Sequence, residues 1–125
     1  VTSEQIANLF ISAIESGDPV TTASRGGWCN GINLIEGGQP VDLWYADPKT
    51  YENAFVIEVI EVDDETTGHE TPHKIDKAAV ERGLQALATS TDYAHHFNDI
   101  VADNADAATA DIFLQFIVFG NEVYA

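Results

Sequence analysis

The run Ala54-Phe55-Val56-Ile57-Glu58-Val59-Ile60-Glu61-Val62 decides the fold class. Successive side chains of a strand point to opposite faces. Phe55, Ile57, Val59 and Glu61 therefore share one side, and Val56, Glu58, Ile60 and Val62 the other. Upstream, Asp47-Pro48-Lys49 turns the chain, and Val41 to Ala46 predicts another strand with Val41, Leu43 and Tyr45 on one face. Gly37-Gly38 is a second turn, and Trp28 to Ile35 alternates as a third strand. Connections this short favour an antiparallel meander. Downstream, Asp63 to His73 reads as an acidic, Thr-rich loop.

Helices flank these strands. Thr2-Ser3-Glu4-Gln5 has the form of a capping box, followed by Ile6, Leu9, Phe10, Ala13 and Ile14 at helical spacing. Gly17 and Asp18-Pro19 end that helix, and Thr21 to Gly27 reads as a loop. Asp76 is placed to cap a helix from about Lys77 to Ala88 that buries Val80, Leu84 and Leu87. Gly83 lies inside it at a cost of ~1 kcal/mol relative to Ala, which predicts close packing against a neighbour. Another helix is expected from about Thr91 to Ala102, with Tyr93, Phe97, Ile100 and Val101 inward. The last, from near Thr109 to about Gly120, is apolar on nearly every side, as in a buried or interface helix. The expectation is a single α+β domain over residues 1–125. A small three-stranded antiparallel meander carries an N-terminal helix and about three C-terminal helices on one face.

A chain of 125 residues has room for one modest core, and 45% hydrophobic residues are enough to build it. The 5 basic and 21 acidic residues leave a formal charge of −16. Binding nucleic acid by phosphate neutralisation needs Lys and Arg, so that class is excluded, and docking on anionic lipid is disfavoured. The longest apolar run, Ile112 to Gly120, is interrupted by Gln115 and is shorter than the ~20 residues of a spanning helix. No basic segment leads into an apolar stretch at the N-terminus, and Cys29 is the one cysteine. The expected location is a reducing compartment such as the cytoplasm.

Several residues invite a catalytic or metal reading. His69-Glu70-Thr71-Pro72-His73 matches the letters of the zinc-protease helix motif. Pro72 would break that helix, so the match reads as fortuitous and the His pair as solvated. His95-His96 are adjacent, and neighbours on a helix point about 100° apart, so the two do not chelate one ion together. A carboxylate such as Asp99 or Asp111 is the expected partner of one of them. Cys29 has no local base or cation and reads as a structural thiol. No catalytic role and no cofactor is expected.

Charge is the strongest feature. A globule of 125 residues is ~35 Å across, and that length of duplex carries ~20 phosphates, comparable to the −16 here. Such a body is steered toward basic protein surfaces, including those that handle nucleic acid. The candidate docking carboxylates are Glu58, Glu61, Asp63, Asp64, Glu65 and Glu70, with Asp92, Asp99 and Asp103 as a second group. Nucleic-acid mimicry is one form this binding could take. The alternatives are a metal- or small-ligand-binding protein using His69, His73, His95 and His96, and a homo-oligomeric accessory. The accessory would dimerise through its last helix, its acidity serving only solubility or salt tolerance.

The second half resembles a family of small acidic proteins encoded by bacteriophages and prophages. The resemblance is carried by Glu81-Arg82-Gly83-Leu84-Gln85, His95-His96-Phe97-Asn98-Asp99, the run from Asn104 to Gln115, and Phe119-Gly120-Asn121-Glu122-Val123-Tyr124. Gly26-Gly27-Trp28-Cys29 is similar to the segment after that family's first helix. The chain departs from the pattern at Asn121, at Ala125 and between Asp18 and Ser24. The resemblance implies a phage accessory role, binding a host defence or replication protein, and no catalytic residues.

Overall fold

Thr2 and Gln5 close the first turn of the N-terminal helix reciprocally. The Gln5 amide donates to Thr2 Oγ1 at 3.0 Å, and the Thr2 amide to Gln5 Oε1 at 2.9 Å. A computed structural model describes residues 1–15, 28–64 and 66–124. The turn expected at Gly17 to Pro19, the Thr21–Gly27 loop and Glu65 lie outside the described residues. Helix α1 spans Ser3–Glu15 and is followed by strand β1, Cys29–Glu36. A 3-10 turn, Trp44–Ala46, and the short helix α2, Lys49–Glu52, come next. Strands β2, Val56–Asp64, and β3, His69–Asp76, form a hairpin. Helices α3, Lys77–Thr89, α4, Ala94–Val101, and α5, Ala107–Phe119, complete the chain. The architecture is α+β, and the sheet is an antiparallel meander in the order β1-β2-β3.

The register sorts side chains by face. Leu34, Ile57 and Ile75 form one cross-strand row on the core side, and Ile32, Val59 and His73 the next. Asn33, Glu58 and Lys74 form a row on the opposite side. The helices answer with apolar surface. Phe10 of α1 stacks on Tyr51 at 5.2 Å and meets Phe113 of α5 edge-on at 5.5 Å. Buried residues run through α5 from Thr109 to Ile117, and α1, α3, α4 and β3 all pack on it. The helix that suggested a dimer interface thus has its apolar faces covered from within the chain.

Two strand assignments change. Val41 to Ala46 is a turn and a 3-10 helix rather than a strand. Trp44 is the buried residue there, whereas Val41 and Leu43 are 57% and 59% exposed, the inverse of the expected alternation. Side chains take the carbonyls that a ladder would have used: Thr50 Oγ1 donates to Trp44 O at 2.8 Å, and Tyr51 Oη to Tyr45 O at 2.7 Å. The third strand lies instead in the stretch read as a loop, at His69–Asp76. Pro72 is tolerated because β3 is an edge strand. Smaller differences are that Leu84 is only partly buried and Val101, expected inward, is 52% exposed.

Gly83 does mark a close approach. A Cβ built there would lie 2.7 Å from the Cα of Ile117, so the backbones of α3 and α5 meet closely at this point. Gly83→Ala would gain ~1 kcal/mol of helix propensity but overpack the contact by ~1–3 kcal/mol. The expected net result is a loss of about 1 kcal/mol in urea unfolding; a stabilised variant would show that α5 can move away freely.

Candidate functional site

Strand β2 sends its carboxylates to different environments. Glu58 lies on the outer face opposite Lys74 and accepts from Asn33 Nδ2 at 3.4 Å. Glu61, three residues on and so on the opposite face, is on the core side and only 8% exposed. At the hairpin end, Asp63 Oδ1 lies 2.6 Å from His69 Nδ1, and its Oδ2 accepts from Thr71 Oγ1 at 2.5 Å. Asp64 shapes the turn by accepting from the amides of Thr66 and Thr67. Glu70, on the outer face, is held by the Asn30 side-chain amide. The hairpin therefore brings Asp63, Asp64 and Glu70 together at one end of the sheet, while Glu65 lies outside the described residues.

The helical group is more spread out. Asp99 sits half-buried on α4, and Asp103 follows that helix at a φ of 60°. Asp103 Oδ1 accepts from Gln5 Nε2 of α1 at 2.9 Å. Asp92 stands before the other end of α4, about 12 Å of helix away. Asp99 and Asp103 thus lie toward the C-terminal end of α4, and Asp92 lies before its start.

Glu61 must be removed from the docking set. Its Oε1 lies 2.8 Å from His73 Nε2, and its Oε2 accepts from the Tyr124 hydroxyl. The Glu61 carboxylate pushes the Tyr124 hydroxyl up to about 12, because ionising the phenol would lose that hydrogen bond. Tyr124 also stacks on Trp28, with centroids 5.7 Å apart and planes at 9°. Phe119 closes the cluster against Trp28 and His73. The chain reaches this place because Gly120, at a φ of 78°, reverses it after α5. Buried Gln115 then takes the amides of Val123 and Tyr124 on Oε1 at 2.8 Å each. Its Nε2 donates to Asp111 and to the Tyr124 carbonyl, and Asp111 also accepts from Trp28 Nε1. Sequence reasoning missed this cluster. Its one visible signal was Gln115, a lone amide inside an apolar helix.

The histidines do not converge. His69 and His73 share a face of β3 but are separated by about 13 Å of strand. Each is committed to its own carboxylate, in the only two ion pairs among the described residues. His95 and His96 lie on α4 with ring centroids 4.1 Å apart. His96 Nδ1 is 2.9 Å from Thr109 Oγ1, so its partner is a hydroxyl rather than the expected Asp99 or Asp111. Among the described residues, no group of three or more His, Cys, Asp or Glu is arranged to hold a metal ion. Cys29 is half-buried at the start of β1.

Among the described residues, Lys and Arg lie away from the Asp63–Glu70 end of the hairpin. Lys49 opens α2, Lys74 is near the end of β3, and Lys77 and Arg82 lie in the first half of α3. Lys77 Nζ donates to Glu52 O at 2.9 Å, which ties the α2 and α3 ends together. No Lys or Arg occurs between Lys49 and Lys74, or after Arg82. This asymmetry along the chain was the sequence signal for a polar charge distribution. No helix among the described residues is long and apolar enough to cross a membrane. Comparison with protein-family models, curated proteins and solved structures gives no match to this chain.

Hydrogen bonding to Asp63 holds His69 above its ordinary value of 6.5, and Thr71 and then His69 hold Asp63 below its 3.8. The His69 contribution to stability is present below pH 6.5 and fades as the pH rises through the raised value. The Asp63 contribution is present above pH 3.8 and fades as the pH falls through the lowered one. Burial, then neighbouring His95, moves His96 the other way. In an NMR pH titration, His69 is expected to titrate above His96; the opposite order would contradict the Asp63 pairing. Tyr124→Phe removes one donor from buried Glu61 and is expected to cost ~1–3 kcal/mol in urea unfolding. A change of only a few tenths would mean that Glu61 does not anchor the tail.

Proposed function

We propose that this is a non-enzymatic acidic binding protein of the phage accessory kind, docking on a basic face of a partner protein. Asp63, Asp64 and Glu70 at the hairpin end form its main contact, with Asp99 on α4, Asp103 after it and Asp92 before it as a second group. The segregation of charge carries this reading: the four described cations gather around α2, the end of β3 and the start of α3, while the hairpin tip has none. A polarised surface orients an encounter, whereas charge spread evenly for solubility would not. Asp63 is held by His69 and Thr71 and Glu70 by Asn30, which fixes their positions without a Lys or Arg to cancel them.

The reading is tested by capture from bacterial lysate with the protein as bait, over a salt series. Retention of the partner is expected to fall steeply once the screening length drops from ~10 Å at 0.1 M salt to ~3 Å at 1 M. Asp63→Asn, Asp64→Asn and Glu70→Gln combined should weaken capture about tenfold or more, mainly through slower association. Lys49→Gln with Lys74→Gln should leave it intact. Capture indifferent to salt and to the hairpin triple variant would overturn the reading.

A further inference from the structure

Away from the acidic hairpin, a groove of about 380 Å³ runs along one face of α3. It is at the small end of the ~300–1,000 Å³ range of ligand sites. Lys77, Val80, Glu81, Leu84, Gln85 and Ala88 line it from α3, a spacing that follows one helix face for about 16 Å. Tyr51 and Phe55 belong to the buried core beneath, and Ile6 of α1 and Phe97 of α4 are half-buried at its sides. The Tyr51 hydroxyl is spent on Tyr45 O, so Tyr51 brings no free polar group that the structure leaves unmatched.

Lys77 makes this groove chemically directional. Its ammonium gives one hydrogen bond to Glu52 O and has no carboxylate partner among the described residues, in a chain with 21 acidic side chains. An ammonium has three donors, so two remain to be used. Glu81 is one turn further along α3 and forms no ion pair with Lys77. Lysine placed four residues before glutamate is the weaker helical orientation for such a pair. A cation anchored by a carbonyl at one end of an apolar furrow suits a ligand with a single anionic head and an alkyl body.

We propose that this groove binds an amphipathic monocarboxylate of the medium-chain fatty-acid class. The carboxylate accepts from Lys77 Nζ, and the alkyl chain lies along Leu84, over buried Val80, toward Phe97. In ~0.15 M salt the remote carboxylates are screened beyond ~8 Å, which leaves Lys77 and Glu81 as the charged side chains of the groove lining. Glu81 sits beside the path and disfavours a second anionic end. The site is separate from the proposed partner surface and does not depend on it.

The test is an NMR amide titration with calorimetry, using sodium octanoate in physiological salt. Octanoate is expected to perturb residues 77–88 together with Tyr51 and Phe55, saturably. Affinity should rise by up to about fourfold per added methylene from hexanoate to decanoate. Lys77→Gln, checked for an unchanged urea midpoint, should weaken octanoate about tenfold and leave octanol unaffected, and Lys77→Arg should restore most of the loss. Suberate, with a second carboxylate, should bind more weakly than octanoate. Octylamine binding as tightly as octanoate, perturbations confined to other surfaces, or equal affinity in Lys77→Gln would each overturn the proposal.

Discussion

Burial of α5 is the constraint from which the rest of the molecule follows. Its apolar side chains cover nearly the whole circumference, and α1, α3, α4 and β3 converge on it. A helix of this kind has no stable place at a surface. The backbone of α3 approaches it so closely at Gly83 that a methyl group would not fit. Within α5 the one buried amide side chain, Gln115, cannot be left unmatched, because an unpaired buried amide is costly. It is matched by the amides of the returning tail, which puts Tyr124 against the sheet. Tyr124 in turn supplies a donor to Glu61, so the core helix, the tail and the sheet share one hydrogen-bonded chain of contacts.

The large negative charge is divided between structural and free carboxylates. Asp76 and Asp106 cap α3 and α5 by accepting from the amides of Ala79 and Thr109. The Thr109 amide, and then its hydroxyl, hold Asp106 below the usual carboxylate range. Asp64 organises the hairpin turn, Asp111 joins Trp28 to Gln115, and Glu61 is sheltered by His73 and Tyr124. Glu61 is buried by its partners, whereas Asp64 orders the hairpin turn and stays exposed. What faces a partner is therefore a subset of the acidic residues, and its location is set by the hairpin and by α4.

The helices were legible where local chemistry and hydrophobic period agree. The Thr2–Gln5 box, the Asp76 cap and the apolar run ending at Gly120 each appear in the structure at or near their expected positions. Strands were legible where both faces alternate clearly, as in β1 and β2. They were not legible in β3, whose outer residues Glu70, Pro72 and Lys74 are all exposed and whose inner face includes Thr71 and His73. Its one fully apolar inward residue, Ile75, is too little signal for a strand. Val41 to Ala46 failed for the opposite reason: it alternates convincingly, yet neighbouring Thr50 and Tyr51 supply the hydrogen bonds that favour a tight turn.

Composition by itself determined that the chain is strongly acidic, carries one core and mixes helices with a small antiparallel sheet. Those properties follow from counts and short-range periodicity, which do not depend on how distant segments meet. Tertiary structure alone decided which carboxylates are exposed, that Glu61 is not among them, and that Lys77 overlooks an apolar groove. Each of these depends on strand register and helix packing between residues far apart in the chain, and a one-residue change in register would move a side chain to the opposite face.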